Sequence, residues 1–122
     1  IDVSLVGSEM CIRDREYYGY ETTIISSISL ASIKQQLDAG NPVIVPAAGR
    51  LLGNPYFSGE GPWYHMLVVT GYDSTHFITN DPGTKRGEGY RYQHTTLLNA
   101  IHDWTGVKEE TAFGKKKALV MY

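Results

Sequence analysis

The chain has 122 residues, 42% of them hydrophobic and 20% charged, and its 11 Lys and Arg against 13 Asp and Glu give a formal net charge of -2. This describes one domain with enough apolar residues for a single sizeable core, and it excludes disordered, collagen-like and coiled-coil chains. The only cationic run, Lys115, Lys116 and Lys117, is expected to be a solvated edge, so the chain lacks the concentrated positive field that a nucleic-acid or polybasic membrane partner requires.

Residues Ile1 to Arg15, IDVSLVGSEMCIRDR, stand apart from the rest. They have no periodicity that continues past Arg15 and no apolar stretch long enough for a signal peptide. The string VSLVGSEMCIRDR also resembles a translated sequencing-adaptor scar of the kind that recurs at the ends of metagenomic fragments. Residues 1–15 are therefore expected to be a non-native segment and 16–122 the domain, with the natural N-terminus missing.

From Glu16 onward, Tyr17, Tyr18 and Tyr20 surround Gly19, and Thr22 to Ile28 is a β-branched stretch expected as a short strand. A helix comes next, with Ser29 as N-cap, Leu30, Ile33 and Leu37 on one face, and Gly40 as the left-handed residue past its end. After Asn41 and Pro42, the run Val43, Ile44, Val45 predicts a strand buried on both faces. Gly49 to Trp63 is a Gly- and Pro-rich loop that presents Tyr56, Phe57 and Trp63. His65 to Tyr72 and Thr75 to Asn80 predict an antiparallel hairpin, and Asp81, Pro82 and Gly83 close its second strand. The loop Gly83 to Gly89 leads to a short aromatic strand, Tyr90 to Tyr92. A second helix is then expected, capped by Thr95 or Thr96, with Leu97, Leu98, Ile101 and Trp104 as its apolar stripe and Gly106 at its end. Ala118 to Tyr122 reads as the last strand. There is no internal repeat, and no apolar run of about 18 residues that would span a membrane.

The chemistry concentrates at the open end of the hairpin. His65 and Asp81 are 16 positions apart, so a turn centred on Asp73 would put them directly opposite each other on one face. Their Cβ atoms would then lie about 4.5–5.5 Å apart, within reach of an imidazole–carboxylate hydrogen bond. A turn of Asp73 and Ser74 alone would send the two side chains to opposite faces, and a bulge would restore them. A carboxylate bound to one imidazole nitrogen fixes the tautomer and leaves the other nitrogen as a base, the rear half of a catalytic triad. The nucleophile such a base would serve is not evident. Cys11, the only cysteine, lies in the segment set aside and rules out an intrachain disulfide framework or a zinc ribbon. Taken alone, His65 reads equally as a strand-end histidine bonded to structure, and Asp81 as a turn-forming residue before Pro82.

The runs YHMLVVTGYD, Tyr64 to Asp73, and FITNDPGT, Phe77 to Thr84, resemble the second half of papain-like cysteine peptidases of the bacteriocin-processing (double-glycine) peptidase-like family. The likeness takes in LDAGNPVIV, Leu37 to Val45, and the Tyr90 to Tyr92 and Trp104 region, so it covers roughly 17–122. It implies that His65 is the general base and Asp81 its orienting carboxylate, with Asn80 facing the other way as a structural residue. It also implies a peptide or protein substrate, no cofactor, and a secreted or cell-surface location in a bacterium. The family's nucleophilic Cys and the preceding oxyanion-hole Gln belong to an N-terminal half that has no counterpart here, and Gln35 and Gln36, mid-helix, read as solvated surface.

Other sites find less support in the spacing. No His pair falls at helical i, i+4 spacing among His65, His76, His94 and His102, so no metal site is expected, and His102 and Asp103 read as helix surface. Lys85 and Arg86 sit in a glycine-rich loop that leads to a strand, without the context of a phosphate loop. Tyr56, Phe57, Trp63 and Tyr64 form a candidate substrate cleft, or pin their loop to the core. The expectation is an α+β fold, a mainly antiparallel sheet of four to six strands with two helices, the sheet-bearing half of a papain-like peptidase. Its function reads as a cysteine-peptidase fragment, inactive as it stands, that retains the His/Asp part of a triad; a peptidase-like binding module is the alternative. An apolar sheet face left uncovered by the missing half would favour self-association.

Overall fold

Val43, Ile44 and Val45 do form a strand with both faces buried, running on through Pro46 to Ala47 at the centre of the sheet, which has six strands among the described residues. The computed structural model describes residues 21–122. Numbered along the chain, the strands are β1 (Thr22–Ile25), β2 (Val43–Ala47), β3 (His65–Tyr72), β4 (His76–Asn80), β5 (Glu88–Gln93) and β6 (Ala118–Met121). They lie in the order β1-β6-β2-β3-β4-β5, and each of these pairings is antiparallel. The last strand is thus inserted between β1 and β2, and the Tyr122 N–H donates to the Glu21 carbonyl at 2.9 Å. Cys11, and the proposed non-native stretch at residues 1–15, lie outside the described residues.

Helix α1, Leu30–Asp38, begins and ends as its sequence dictates. Ser29 Oγ accepts from the Ser32 N–H at 3.0 Å while Ser32 Oγ accepts from the Ser29 N–H at 2.9 Å, a reciprocal cap that satisfies two donors the helix start would leave open. At the other end Gly40 adopts φ +84°, and the Gly40 and Asn41 N–H groups turn back onto the Leu37 and Gln36 carbonyls. Ile33 is fully buried from this helix, a contribution of about 1.5–3 kcal/mol on the usual scale for a buried aliphatic side chain. It joins Val43, Val45, Ala47, Leu67, Val69, Ala118 and Val120 in the core cluster on one sheet face.

The second helix departs from expectation. α2 spans His94–Ala100, starting after Gln93 without a side-chain cap and ending well before Trp104 and Gly106. The apolar stripe would have carried it further, but tertiary pairing takes over. The Ala48 N–H donates to the Ala100 carbonyl at 2.7 Å and the His102 N–H to the Pro46 carbonyl at 3.1 Å, so Ile101 leaves the helix as an extended residue bridged to Ala47. Asp103 is correspondingly buried and is not helix surface. Lys116 is not merely a solvated charge either, since its Nζ donates to the Leu98 and Ile101 carbonyls at the end of α2. On the second sheet face, the paired residues Ile44 and Leu119 are 4% and 1% exposed.

Candidate active site

The hairpin β3–β4 is built around Asp73. Its Oδ1 accepts from the Thr75 and His76 N–H groups at 2.9 and 2.8 Å, and Oδ2 binds Arg91 on β5. These contacts hold the carboxyl well below the usual range, the two backbone donors contributing most. The turn they fix pairs Tyr72 with Phe77 and Gly71 with Ile78. Carried onward, that register would place His65 and Asp81 on opposite faces. A bulge between Val69 and Gly71 corrects it, and beyond the bulge Val69 pairs with Thr79 and Val68 with Asn80.

The expectation that the two residues lie directly opposite is therefore corrected by two positions. Extending the Val68–Asn80 register puts Gly83 opposite His65, and a β-carbon built on Gly83 would indeed stand only 2.2 Å from His65 Cε1. Asp81 is the diagonal neighbour on the same face, and its Oδ1 is hydrogen-bonded to His65 Nε2. The absence of a side chain at Gly83 lets the imidazole lie across the turn, and the Gly83 N–H gives Asp81 Oδ1 a second donor at 3.0 Å.

Asp81 is only 2% exposed. Burial works to raise its pKa, but hydrogen bonds from His65 and Tyr92, the His65 charge and the Gly83 N–H outweigh it, so the carboxyl titrates below its ordinary value. Its other oxygen, Oδ2, accepts from Tyr92 Oη at 2.7 Å. Burial, reinforced by the adjacent carboxylate, pushes the Tyr92 phenol far above its usual range and keeps it a donor. His65 is largely buried, with Phe57 packed edge-on against its ring at 5.3 Å. Among the described residues its Nδ1 has no hydrogen-bond partner. The arrangement can therefore present an imidazole with Nε2 tied to a carboxylate and Nδ1 available as a base.

The four aromatic cleft candidates face different neighbours. Phe57 belongs to the core and to the His65 wall, and Tyr56 is 48% exposed, edge-on to Tyr90. Trp63 lies under the Arg50 guanidinium at 3.6 Å, and Tyr64 meets Trp104 at 5.3 Å. The remaining histidines are dispersed. His76 Nδ1 bonds Thr75 Oγ1, His94 packs on Phe77, and the two ring nitrogens of His102 face the Gly114 and Asn99 carbonyls. No three His, Cys, Asp or Glu side chains gather as a metal site among the described residues, and no helix there is long and apolar enough to cross a membrane. Arg86 sits 5.4 Å over the Tyr56 ring, and Asn80 Oδ1 accepts from the Gly89 N–H at 3.1 Å to brace the β4–β5 turn.

Sequence reasoning missed three parts of this site: Tyr92, Gly83, and Asn54, whose Nδ2 donates to Tyr92 Oη at 2.9 Å. For Tyr92 a signal existed, since pairing with Phe77 puts it on the buried face, where a tyrosine hydroxyl needs a partner and Asp81 is the nearby acid.

No curated protein matches the chain. A solved structure from Bacillus anthracis, described as a C39-like peptidase, superposes with a TM-score of 0.59 at 13% sequence identity, a likeness of fold. It covers 88% of this chain and 54% of the other, so this chain spans about half the length of that protein. The model of the Peptidase_C39-like family matches residues 6–111, and by that match the chain belongs to the Peptidase_C39-like family.

Proposed function

We propose that this chain is the base-bearing portion of a papain-like cysteine peptidase, with His65 as general base, Asp81 as its orienting carboxylate, and no nucleophile of its own. The observation that carries this reading is the His65 Nε2–Asp81 Oδ1 hydrogen bond, made on the core side of the sheet with Nδ1 left unpartnered among the described residues. Membership of a peptidase-like family and the shared fold support it.

In such a site a thiol brought to Nδ1 gives its proton to His65, and the thiolate attacks the carbonyl carbon of a peptide bond. The imidazolium, stabilised by ionised Asp81, returns that proton to the leaving amine as the C–N bond breaks and a thioester forms. Water, deprotonated by His65, attacks the thioester, and the carboxylic acid leaves as the thiol is restored. Asp81 stays ionised throughout.

Two measurements test the reading. Histidine NMR titration of the wild type and Asp81→Asn, with His65→Gln for assignment, is expected to show a lower His65 pKa once the carboxylate is neutralised. An unchanged titration would sink the pair and favour a peptidase-like binding module. Peptide hydrolysis by the chain itself is expected to be absent; turnover abolished by iodoacetamide would instead make Cys11 the nucleophile.

A further inference from the structure

Asp81 carries a second, directional connection that the base-and-carboxylate pair does not itself require. Its Oδ2 meets Tyr92 Oη at 2.7 Å, and that oxygen in turn meets Asn54 Nδ2 at 2.9 Å. All three residues are buried, Asn54 at 6%, Tyr92 at 3% and Asp81 at 2% exposure. The polarity of this chain is fixed by its far end. Asn54 Oδ1 accepts from the Tyr56 N–H at 2.8 Å, and because a backbone N–H can only donate, the amide nitrogen of Asn54 must face Tyr92. Tyr92 Oη therefore accepts from Asn54 and spends its single proton on the carboxylate.

A buried carboxylate held by His65 alone could still rotate about its last torsion and present either oxygen. Here Gly83 and His65 bind Oδ1 while Tyr92 binds Oδ2, so the two oxygens are distinguished. The same Asn54 also shapes the other wall of the imidazole. Its carbonyl accepts from the Phe57 N–H at 3.1 Å, in the turn that lays the Phe57 ring on His65.

We infer that Asn54 and Tyr92 are positioning residues for this site: a fixed-polarity relay, Asn54 to Tyr92 to Asp81, locks the carboxylate in the rotation that holds His65 Nε2 as the donor and Nδ1 as the free base. The inference rests on the proposed roles of His65 and Asp81. It ties the Gly49–Trp63 loop to the hairpin end, so a change in that loop reaches the base through a defined path.

The test is nitrogen-15 NMR of His65 and carbon-13 NMR of the Asp81 carboxyl, in wild type, Tyr92→Phe, Asn54→Ala and Asp81→Asn. Tyr92→Phe keeps the ring and removes only the donor. It is expected to raise the Asp81 pKa by about one unit or more and to convert His65 from a dominant Nε2–H tautomer to a mixture. Asn54→Ala is expected to move both readouts in the same direction by a smaller amount, and it decides the matter if Tyr92→Phe does not fold. A purely structural role would lower stability and leave tautomer and carboxyl titration unmoved. If Asp81→Asn changes His65 while folded Tyr92→Phe and Asn54→Ala behave as wild type, the relay is wrong and the base reading stands. If Asp81→Asn itself leaves His65 unchanged, the base reading fails and takes the relay with it.

Discussion

A methyl group added at Gly83 would stand 2.2 Å from His65 Cε1, whereas one added at Gly87 would meet the Asp81 carbonyl oxygen at 1.6 Å. The two glycines flank the same turn but guard different things. At Gly83 the obstacle is a side-chain ring that can swing aside, so Gly83→Ala is expected to leave a folded protein in which His65 has lost Asp81. At Gly87 the obstacle is backbone, held close because the Asp81 N–H donates to the Gly87 carbonyl at 2.9 Å. Gly87→Ala should therefore destabilise the fold by at least about 1–3 kcal/mol, as overpacking does. Denaturant midpoints and the His65 titration separate the two outcomes; equal stability losses with an intact His65–Asp81 contact in both would refute the distinction. His65 and Asp81 were legible in the sequence because one opens a strand and the other comes just after a strand, where parity can be counted. Asn54 was not, because its partner Tyr92 lies 38 positions away and a loop residue has no periodicity to give its direction.

The hairpin shows how one element decides what its ends can do. The turn at Asp73 and the bulge between Val69 and Gly71 each shift the register by an amount that would separate His65 from Asp81 if the other were missing. Deleting Thr70 removes the extra residue together with the bulge, so it is expected to leave a regular ladder in which Val69 still pairs with Thr79 and Asp81 still reaches His65. The check is an Asp81-dependent shift in the His65 titration that survives the deletion; its loss would show that the bulge itself holds the two residues together. The strands themselves could be read from β-branched and aromatic runs, because local alternation reports burial. The end of α2 could not. Leu97, Leu98, Ile101 and Trp104 continue a helical stripe, and only the carbonyl of Pro46, distant in sequence, draws His102 out of it. Nor does an apolar run such as Ala118–Met121 state that it will lie between β1 and β2.

Acid sensitivity belongs to the whole molecule. Asp81 and Asp73 both titrate below the ordinary carboxylate value in the folded chain, so near pH 2–4 the unfolded chain binds more protons and stability rises with pH there. Their contribution is complete above the unfolded value, about 3.9, and is lost as pH falls through the folded values. Asp73 is the more solvent-screened of the two, so the Asp81 share is the one to isolate. Urea midpoints between pH 6 and 3 should decline less steeply in Asp81→Asn than in wild type, and parallel declines would show that Asp81 does not couple to folding. The strand order adds a dimension of time. The pairings β2–β3, β3–β4 and β4–β5 join neighbours in sequence and can close as the chain leaves the ribosome. β1 emerges before all of them, yet its partner among the described strands is β6, the last of those strands to be made. Among the described strands, then, β1 waits through the making of four others for the one it pairs with, and its edge of the sheet closes only when β6 arrives.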